Sequence, residues 1–127
     1  GAVAVATRGG LGAPQQESFR FSRGTAFAAG EEDRLRAFVL EAARDDAIAV
    51  VIAGHSGTSG DAEANRDLSQ DRAARAAEIA RAAGVPDARI SVVALGGAAP
   101  LSQETGEAER AYQARLARVE VSLQVRR

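Results

Sequence analysis

The first part of the chain alternates apolar and polar residues and then changes to a helical period. Phe19-Arg20-Phe21 has the alternation of a short strand, and Ser22 to Gly30 has the composition of a loop. From Glu31 to Arg44, apolar residues recur every three or four positions, which predicts an amphipathic helix. Acidic residues open this segment, where the helix dipole favours them. The apolar stripe consists of Leu35, Phe38, Val39 and Ala42.

The middle of the chain predicts a buried strand followed by a long helix. Ala47 to Ala53 is a continuous apolar run of strand length, which is typical of a strand covered on both faces. A glycine-rich loop from Gly54 to Gly60 follows it. The next helix should run from about Asp61 to Ala83 and end at Gly84, with Pro86 just beyond.

The last third of the chain predicts two more strands and a third helix. Ile90 to Leu95 is the next strand, and a turn over residues 96–100 follows. Gln103 to about Arg115 predicts a helix. Val119 to Val125 alternates apolar and polar residues, which predicts a half-exposed final strand.

Strands and helices alternate throughout, so the fold class predicted is α/β (α+β), a two-layer sandwich. Its order is βαβαβαβ, with the helices packed on a mixed four-stranded sheet. Residues 1–18 are rich in Gly, Ala and Gln and predict a linker or tail, compatible with a short strand at Val3–Ala6. The domain proper should therefore occupy residues 19–127.

The composition fits one globular domain and excludes several functions. The hydrophobic fraction is 46%, and the net charge of −1 offers no basic surface for nucleic acid or an anionic membrane. There is no Cys and one His, so we expect no transition-metal site and no cofactor. No apolar run approaches the roughly 20 residues of a membrane span. The chain begins at Gly1 without a signal peptide, so we expect a processed form or an excised domain whose anchor lies elsewhere.

One charged residue interrupts the apolar stripe of the long helix. Leu68, Arg72, Ala76, Ile79 and Ala83 fall on one side of it, with Arg72 near the middle. A guanidinium cannot lose its proton, so a buried Arg72 needs an anion or hydrogen-bond acceptors. Two interpretations stay open. Arg72 pairs internally with a carboxylate or with backbone carbonyls, or it lines a cleft with Asn65 and Ser69 that takes a ligand carboxylate.

A spaced set of residues carries a resemblance to a known family. The set is Gly54-His55-Ser56-Gly57, Gly60, Asn65, Leu68-Ser69 and Arg72-Ala73. It resembles the OmpA-like family, in which a strand is followed by Gly-His-Thr-Asp, a short loop, an Asn and Leu-Ser-x-x-Arg-Ala on a helix. The spacing is the family's, and the context is the same strand, loop and helix.

Weaker matches extend the resemblance over about residues 19–125. Phe19-Arg20-Phe21 is similar to the family's opening strand, and Gly96 with Pro100 is similar to its Gly-x-x-x-Pro turn. Arg118-Val119-Glu120-Val121 resembles the end of its closing strand. The chain departs from the family at Ser22, Gly97, Leu116 and Ala117.

The resemblance implies a binding site for peptidoglycan. In the family, the Asp of Gly-His-Thr-Asp takes the ammonium of the stem peptide's diaminopimelate, and the helix Arg takes its carboxylate. Arg72 matches that Arg, but Gly57 stands where the Asp belongs. Loss of such a charged partner costs about 1–3 kcal/mol, or roughly 10- to 100-fold in affinity. Asp61 is the one residue nearby that we consider as a substitute. The ligand-binding residues expected are Arg72, Asn65, Ser56, Gly57, Leu68, Ser69 and Ala73.

The function expected is a non-catalytic module of a diderm bacterium's cell envelope, with weakened peptidoglycan binding. It would act in the periplasm, in a parent protein anchored to the inner or outer membrane. The alternative is an OmpA-like fold that has lost peptidoglycan and serves as a protein-interaction or assembly domain. Its partner would be another envelope protein or a second copy.

Catalytic and nucleotide sites fit the residues less well. Gly54-His55-Ser56-Gly57 lacks the spacing of a nucleophile elbow, and His55 is poorly placed to serve the adjacent Ser56 as a base. We expect His55 instead to make a structural hydrogen bond that holds the loop. The three loop glycines match neither a dinucleotide fingerprint nor a P-loop, and no Lys follows them. No EF-hand pattern for Ca²⁺ occurs in the sequence.

Overall fold

The computed structural model describes residues 15–126 of the 127-residue chain. The strand expected at Val3–Ala6 lies outside the described residues. The first strand begins at Gln15, inside the segment expected to be a linker, because Gln15 to Ser18 pair with residues 120–123 of the last strand. The folded unit therefore starts earlier than the apolar pattern indicates.

Nine elements follow one another in the described residues, 15–126. The strands are β1 (Gln15–Arg23), β2 (Ala26–Phe27), β3 (Ile48–Gly54), β4 (Ile90–Ala94) and β5 (Arg118–Val125). The helices are α1 (Glu31–Arg44), α2 (Ala62–Ala82) and α3 (Glu109–Leu116), with a 3₁₀ turn at Asp87–Arg89. No helix among residues 15–126 is long and apolar enough to cross a membrane.

The sheet is mixed, and the part of the chain that the structure describes contributes five strands to it, where the sequence predicts four. Its order is β2-β1-β5-β3-β4, with β3 and β4 parallel and the other pairs antiparallel. The additional strand is β2, which lies within the segment expected to be a loop and folds back on β1. Phe21 and Phe27 stack at 4.2 Å between ring centroids, and this contact holds the hairpin.

One face of the sheet carries the core, and α1 and α2 pack against it and against each other. Its buried side chains include Phe19, Val50, Ile52, Val119 and Val121. The apolar run of β3 predicts burial on both faces, but every second residue of β3 is only half-buried. In β5 the alternation is confirmed, since Val119, Val121 and Leu123 are buried and the residues between them are not.

The helix bounds follow local signals, with one exception. Both α1 and α2 lie within a residue of the predicted ranges, and Gly84 adopts φ of 114° just beyond the end of α2. The third helix begins at Glu109, six residues later than predicted. Gly106 has φ of 79°, a left-handed conformation that a right-handed helix cannot include. Residues 103–108 therefore form a turn.

Arg89 ties α1 to the start of β3 from within the protein. Its side chain is buried, and its Nη1 donates to the carbonyls of Ala42, Asp45 and Ile48 at 2.8, 3.0 and 2.6 Å. These carbonyls lie where the helix ends and the strand begins. Two of them also accept a backbone N–H, that of Asp45 at Ala42 and that of Ile48 at Asp45. One guanidinium thereby satisfies acceptors from two elements.

The ring of His55 is buried at the carboxyl end of β3 without a hydrogen bond. Its Nε2 lies 3.4 Å from Glu120 Oε1, which is long for a hydrogen bond. Neither ring nitrogen has a hydrogen-bond partner among the described residues. The loop is held instead by the His55 backbone N–H, which donates to the Arg118 carbonyl at 2.9 Å. Desolvation, aided by the nearby Arg118 charge, lowers the pKa of His55 and outweighs the opposite effect of Glu120.

We expect Arg89→Ala to lower the free energy of unfolding by about 2–3 kcal/mol, because buried carbonyls lose a charged hydrogen-bond donor. Arg81→Ala is the matched control, since the Arg81–Asp87 pair is exposed and such pairs contribute less than about 1 kcal/mol. Urea denaturation of both variants measures the difference. Equal losses for the two variants would contradict the role given to Arg89.

We expect the protein to lose stability as the pH falls below about 6.5, because His55 takes up a proton more readily in the unfolded chain than in the folded protein, where its pKa is lowered. At higher pH the His55 ring is neutral in both the folded and the unfolded state, so it causes no further change in stability. Glu31 and Glu107 have pKa values below 4.5, so their contributions disappear only at lower pH. Urea denaturation between pH 5 and 8 should give a slope that His55→Asn removes. The same slope in that variant would show that another group is responsible.

Candidate functional site

The carboxyl end of β3 meets α2 at backbone contact distance. A Cβ on Gly54 would lie 2.0 Å from the Ser69 carbonyl oxygen and 3.1 Å from the Ala73 Cβ, so only glycine fits there. Ser69 and Ala73 are buried in this contact. The structure therefore gives both residues a packing role, and the ligand contact expected from the sequence stays a prediction.

Hydrogen bonds join the glycine loop and α2 to the turn that follows β4. The Ser69 hydroxyl donates to the Arg66 carbonyl at 2.7 Å and accepts from the Gly96 N–H at 2.9 Å. The Ser56 N–H donates to the Gly96 carbonyl at 2.9 Å, and the buried Ser56 hydroxyl donates to the Gly57 carbonyl at 2.8 Å. These hydrogen bonds thus join three segments that are distant in sequence, the glycine loop, α2 and the turn after β4, at one corner of the protein.

The Arg72 guanidinium is satisfied inside the protein. It is 4% exposed, its Nε donates to the Gly24 carbonyl at 2.7 Å, and its Nη1 donates to the His55 carbonyl at 3.1 Å. Its carbon lies 5.4 Å from the centre of the Phe21 ring, within cation–π range. Desolvation lowers the pKa of Arg72 from its ordinary value, although a guanidinium remains charged. Backbone carbonyls are therefore its partners, which agrees with the first of the two interpretations left open by the sequence, an internal pairing.

The space beside Gly57 is occupied by a side chain from α3. A Cβ on Gly57 would lie 2.4 Å from the Gln113 Oε1. That oxygen accepts from the Thr58 N–H at 2.9 Å, and the Gln113 Nε2 donates to the Thr58 hydroxyl at 2.7 Å. Gln113 thus clamps the loop where the family carries its Asp. Its part could not be found from the loop motif, since the two residues are far apart in sequence.

Asp61 and Asn65 stabilise the start of α2. The Asp61 carboxylate accepts from the Ala64 N–H at 2.8 Å as the helix N-cap. The Asn65 side chain donates to the Ser59 carbonyl at 2.9 Å. Asp61 is engaged in capping in this structure, and its use as a substitute for the missing Asp stays a prediction.

A groove of about 540 Å³, here called the loop–helix groove, lies between the start of α2 and the turn after β4. Asn65 belongs to its lining, whereas Arg72 does not, and Leu68 is half-buried nearby. The sequence motif also missed Glu63 and Arg66, two exposed charges on this lining. The spacing of three residues between them on a helix was the available signal. Other residues of the lining are Thr58, Gly60, Leu95 and Ala98.

The polar groups that line this groove are uncharged except for two side chains. The groove offers hydroxyl and amide groups and one exposed charge of each sign. Within residues 15–126, no group of three or more His, Cys, Asp or Glu side chains is placed to hold a metal ion.

Comparisons with known proteins agree with the fold. The crystal structure of the peptidoglycan-associated lipoprotein from Burkholderia pseudomallei has a TM-score of 0.71 and 22% identity, over 84% of this chain and 89% of that one. The C-terminal domain of Helicobacter pylori MotB has a TM-score of 0.70 and 15% identity, over 86% and 84%. A putative MotB-like protein from Desulfovibrio vulgaris has a TM-score of 0.67 and 24% identity, over 84% and 70%.

Sequence comparison identifies the family. No curated protein matches the chain. The OmpA family profile matches residues 21–114, which include β3, the glycine loop and all of α2. The match covers most of the chain and agrees with the five-stranded sheet and its helices. The chain belongs to the OmpA family.

Proposed function

We propose that this chain is a non-catalytic cell-envelope module that binds peptidoglycan through the diaminopimelate of its stem peptide. The observation that carries the proposal is the family match over residues 21–114, which includes the loop and helix that hold the family's binding motif. The similar fold of a peptidoglycan-associated lipoprotein supports it. The proposed location is the periplasm, in a parent protein attached to the inner or outer membrane.

The proposed binding is weaker than in relatives that keep the loop Asp. Gly57 provides no carboxylate, and the Gln113 amide fills the adjacent space. A direct contact between Arg72 and a stem-peptide carboxylate stays a prediction. It requires the hairpin turn at Gly24 to release its hydrogen bond to Arg72. In the present conformation Arg72 is a positioning residue, since it orders the His55 carbonyl and the hairpin beside the loop.

A second candidate function is an interaction domain that no longer binds peptidoglycan. The observation that favours it is the exposed edge strand β4, which contains no charged residue. Val92 and Val93 are 47% and 44% exposed, and an uncharged edge strand presents unpaired backbone groups to another strand. The partner proposed here is an envelope protein or a second copy of this chain.

We expect the wild-type chain to co-sediment with purified sacculi, and Arg72→Ala to reduce that binding by roughly 10-fold or more, because the loop loses a charged donor. Circular dichroism must show that the variant is folded. Arg110→Gln serves as the control, because Arg110 is an exposed residue of α3 and its replacement also removes one positive charge. Wild-type protein that stays in the supernatant would reject peptidoglycan binding, and self-association in light scattering would then favour the interaction domain.

We expect the double variant Gly57→Asp with Gln113→Ala to bind sacculi roughly 10- to 100-fold more tightly than Gln113→Ala alone. The second change removes the amide that would collide with the new side chain. Gln113→Ala is the matched reference because it loses the same clamp on Thr58. No gain in the co-sedimentation assay would show that a missing carboxylate at position 57 is not what limits binding.

A further inference from the structure

The ring of His55 lies on the face of the sheet opposite α1 and α2. In β5, Val119 and Val121 belong to the core beneath these helices, so Glu120 between them points to the other face. The His55 ring approaches the Glu120 carboxylate and therefore shares that face. His55 is nevertheless only 2% exposed. We assign its burial to residues 96–117, here called the cover, which run from the turn after β4 through α3.

The cover is held mainly by polar contacts. Arg118 donates from Nη1 to the Leu116 carbonyl at 3.0 Å and from Nη2 to the Ala99 carbonyl at 3.2 Å. The Gln113 amide joins the cover to the glycine loop through Thr58. Leu116 is the one large side chain of residues 96–117 that is fully buried, and it lies outside the core formed with α1 and α2. A segment with so few buried apolar contacts opens at a lower free energy than the core.

The charges around His55 leave no place for a proton on the ring. Neither ring nitrogen has a hydrogen-bond partner within residues 15–126. The charged groups that face His55 are Arg118 and Glu120 on β5, which pair at 2.8 Å, and Arg72 on α2, which donates to the His55 carbonyl. Protonation would place a third cation beside a single carboxylate. Burial of a charge without compensation is costly, so the protonated ring favours any state in which water reaches it.

We propose that the cover and the glycine loop form a pH-sensitive latch, which is closed over a neutral His55 and opens locally when this ring takes up a proton. Opening separates Gln113 from Thr58 and exposes the glycine loop, while the core between the sheet and the helices α1 and α2 stays packed. The inference concerns the free protein and does not depend on the proposed function, so peptidoglycan binding and the latch stand or fall separately.

The direction of the pH dependence follows from the closed state. Desolvation and the Arg118 charge lower the pKa of His55 there, so the open state binds the proton more readily. The open population should therefore rise as the pH falls below about 6.5, by up to about 10-fold per pH unit. The ion pair of the cover stays intact in this range, because the hydrogen bond from Arg115 lowers the pKa of Glu107 to about 2.

The first test is amide hydrogen exchange followed by NMR between pH 7 and 5. After correction for the exchange rates of free amides, Thr58 in the loop and Tyr112 in α3 should lose protection by up to about 10-fold per pH unit. Ile52, in the interior strand β3, should remain far better protected, because it is exposed only by global unfolding. Equal protection of all three amides at each pH would show that opening is global, and a flat profile for Thr58 and Tyr112 would also overturn the latch.

The second test uses variants of the latch. His55→Asn should abolish the pH dependence at Tyr112, whereas Gln113→Ala should speed Tyr112 exchange at every pH and keep the dependence, because it removes the clamp on the loop but not the titrating ring. Arg110→Gln, at an exposed position of α3, is the control and should match the wild type. A dependence that persists in His55→Asn would assign it to another group and reject the inference.

A third measurement needs no variant. His55 is the only histidine of the chain, so its ring signals in the NMR spectrum are assigned without ambiguity. Their titration midpoint in the folded wild-type protein should lie below the ordinary value of about 6.5. A midpoint at or above 6.5 would show that the closed state accepts the proton, and the latch would have no driving force.

Discussion

The contact between the end of β3 and the middle of α2 is the constraint around which this site is built. Only glycine fits at position 54, because the Ser69 carbonyl occupies the space that a side chain would need. This close approach lets the Ser69 hydroxyl reach the Gly96 N–H and join a third segment to the strand and helix. The glycine loop therefore leaves the sheet between α2 and the turn that follows β4. The Ser56 and Ser69 hydroxyls and the Thr58 and Gly96 N–H groups are all engaged in hydrogen bonds within the protein.

Buried guanidiniums are the second structural device, and they change how the family motif should be interpreted. Arg72, Arg89 and Arg118 are all buried, and each donates to backbone carbonyls of other segments. A planar group with several fixed donors can satisfy such acceptors at loop and strand ends, which a single ammonium does less well. The motif Arg is therefore first a structural tie between the β1–β2 hairpin and the loop. A motif position can therefore keep its residue because the fold needs it.

The sequence by itself determined the elements whose signals are local. The helix bounds of α1 and α2 follow from apolar residues three and four apart, acidic first turns and a terminal glycine. The alternation in β5 gave its buried face, and the spaced loop and helix motif gave the family. Each of these depends on residues within a few turns of one another, where side-chain period and backbone preference act directly.

Tertiary structure alone decided which polar groups are occupied and which are free. The partners of Arg72 come from a hairpin 48 residues earlier and a loop 17 residues earlier, and Gln113 reaches Thr58 from 55 residues away. The fifth strand and the half-buried face of β3 likewise depend on which segments become neighbours in the sheet. No local pattern encodes these pairings, because they are fixed only when the sheet and helices pack. The scaffold and the family therefore follow from the sequence, and the packed fold determined which polar and charged groups are buried in internal hydrogen bonds and which remain exposed.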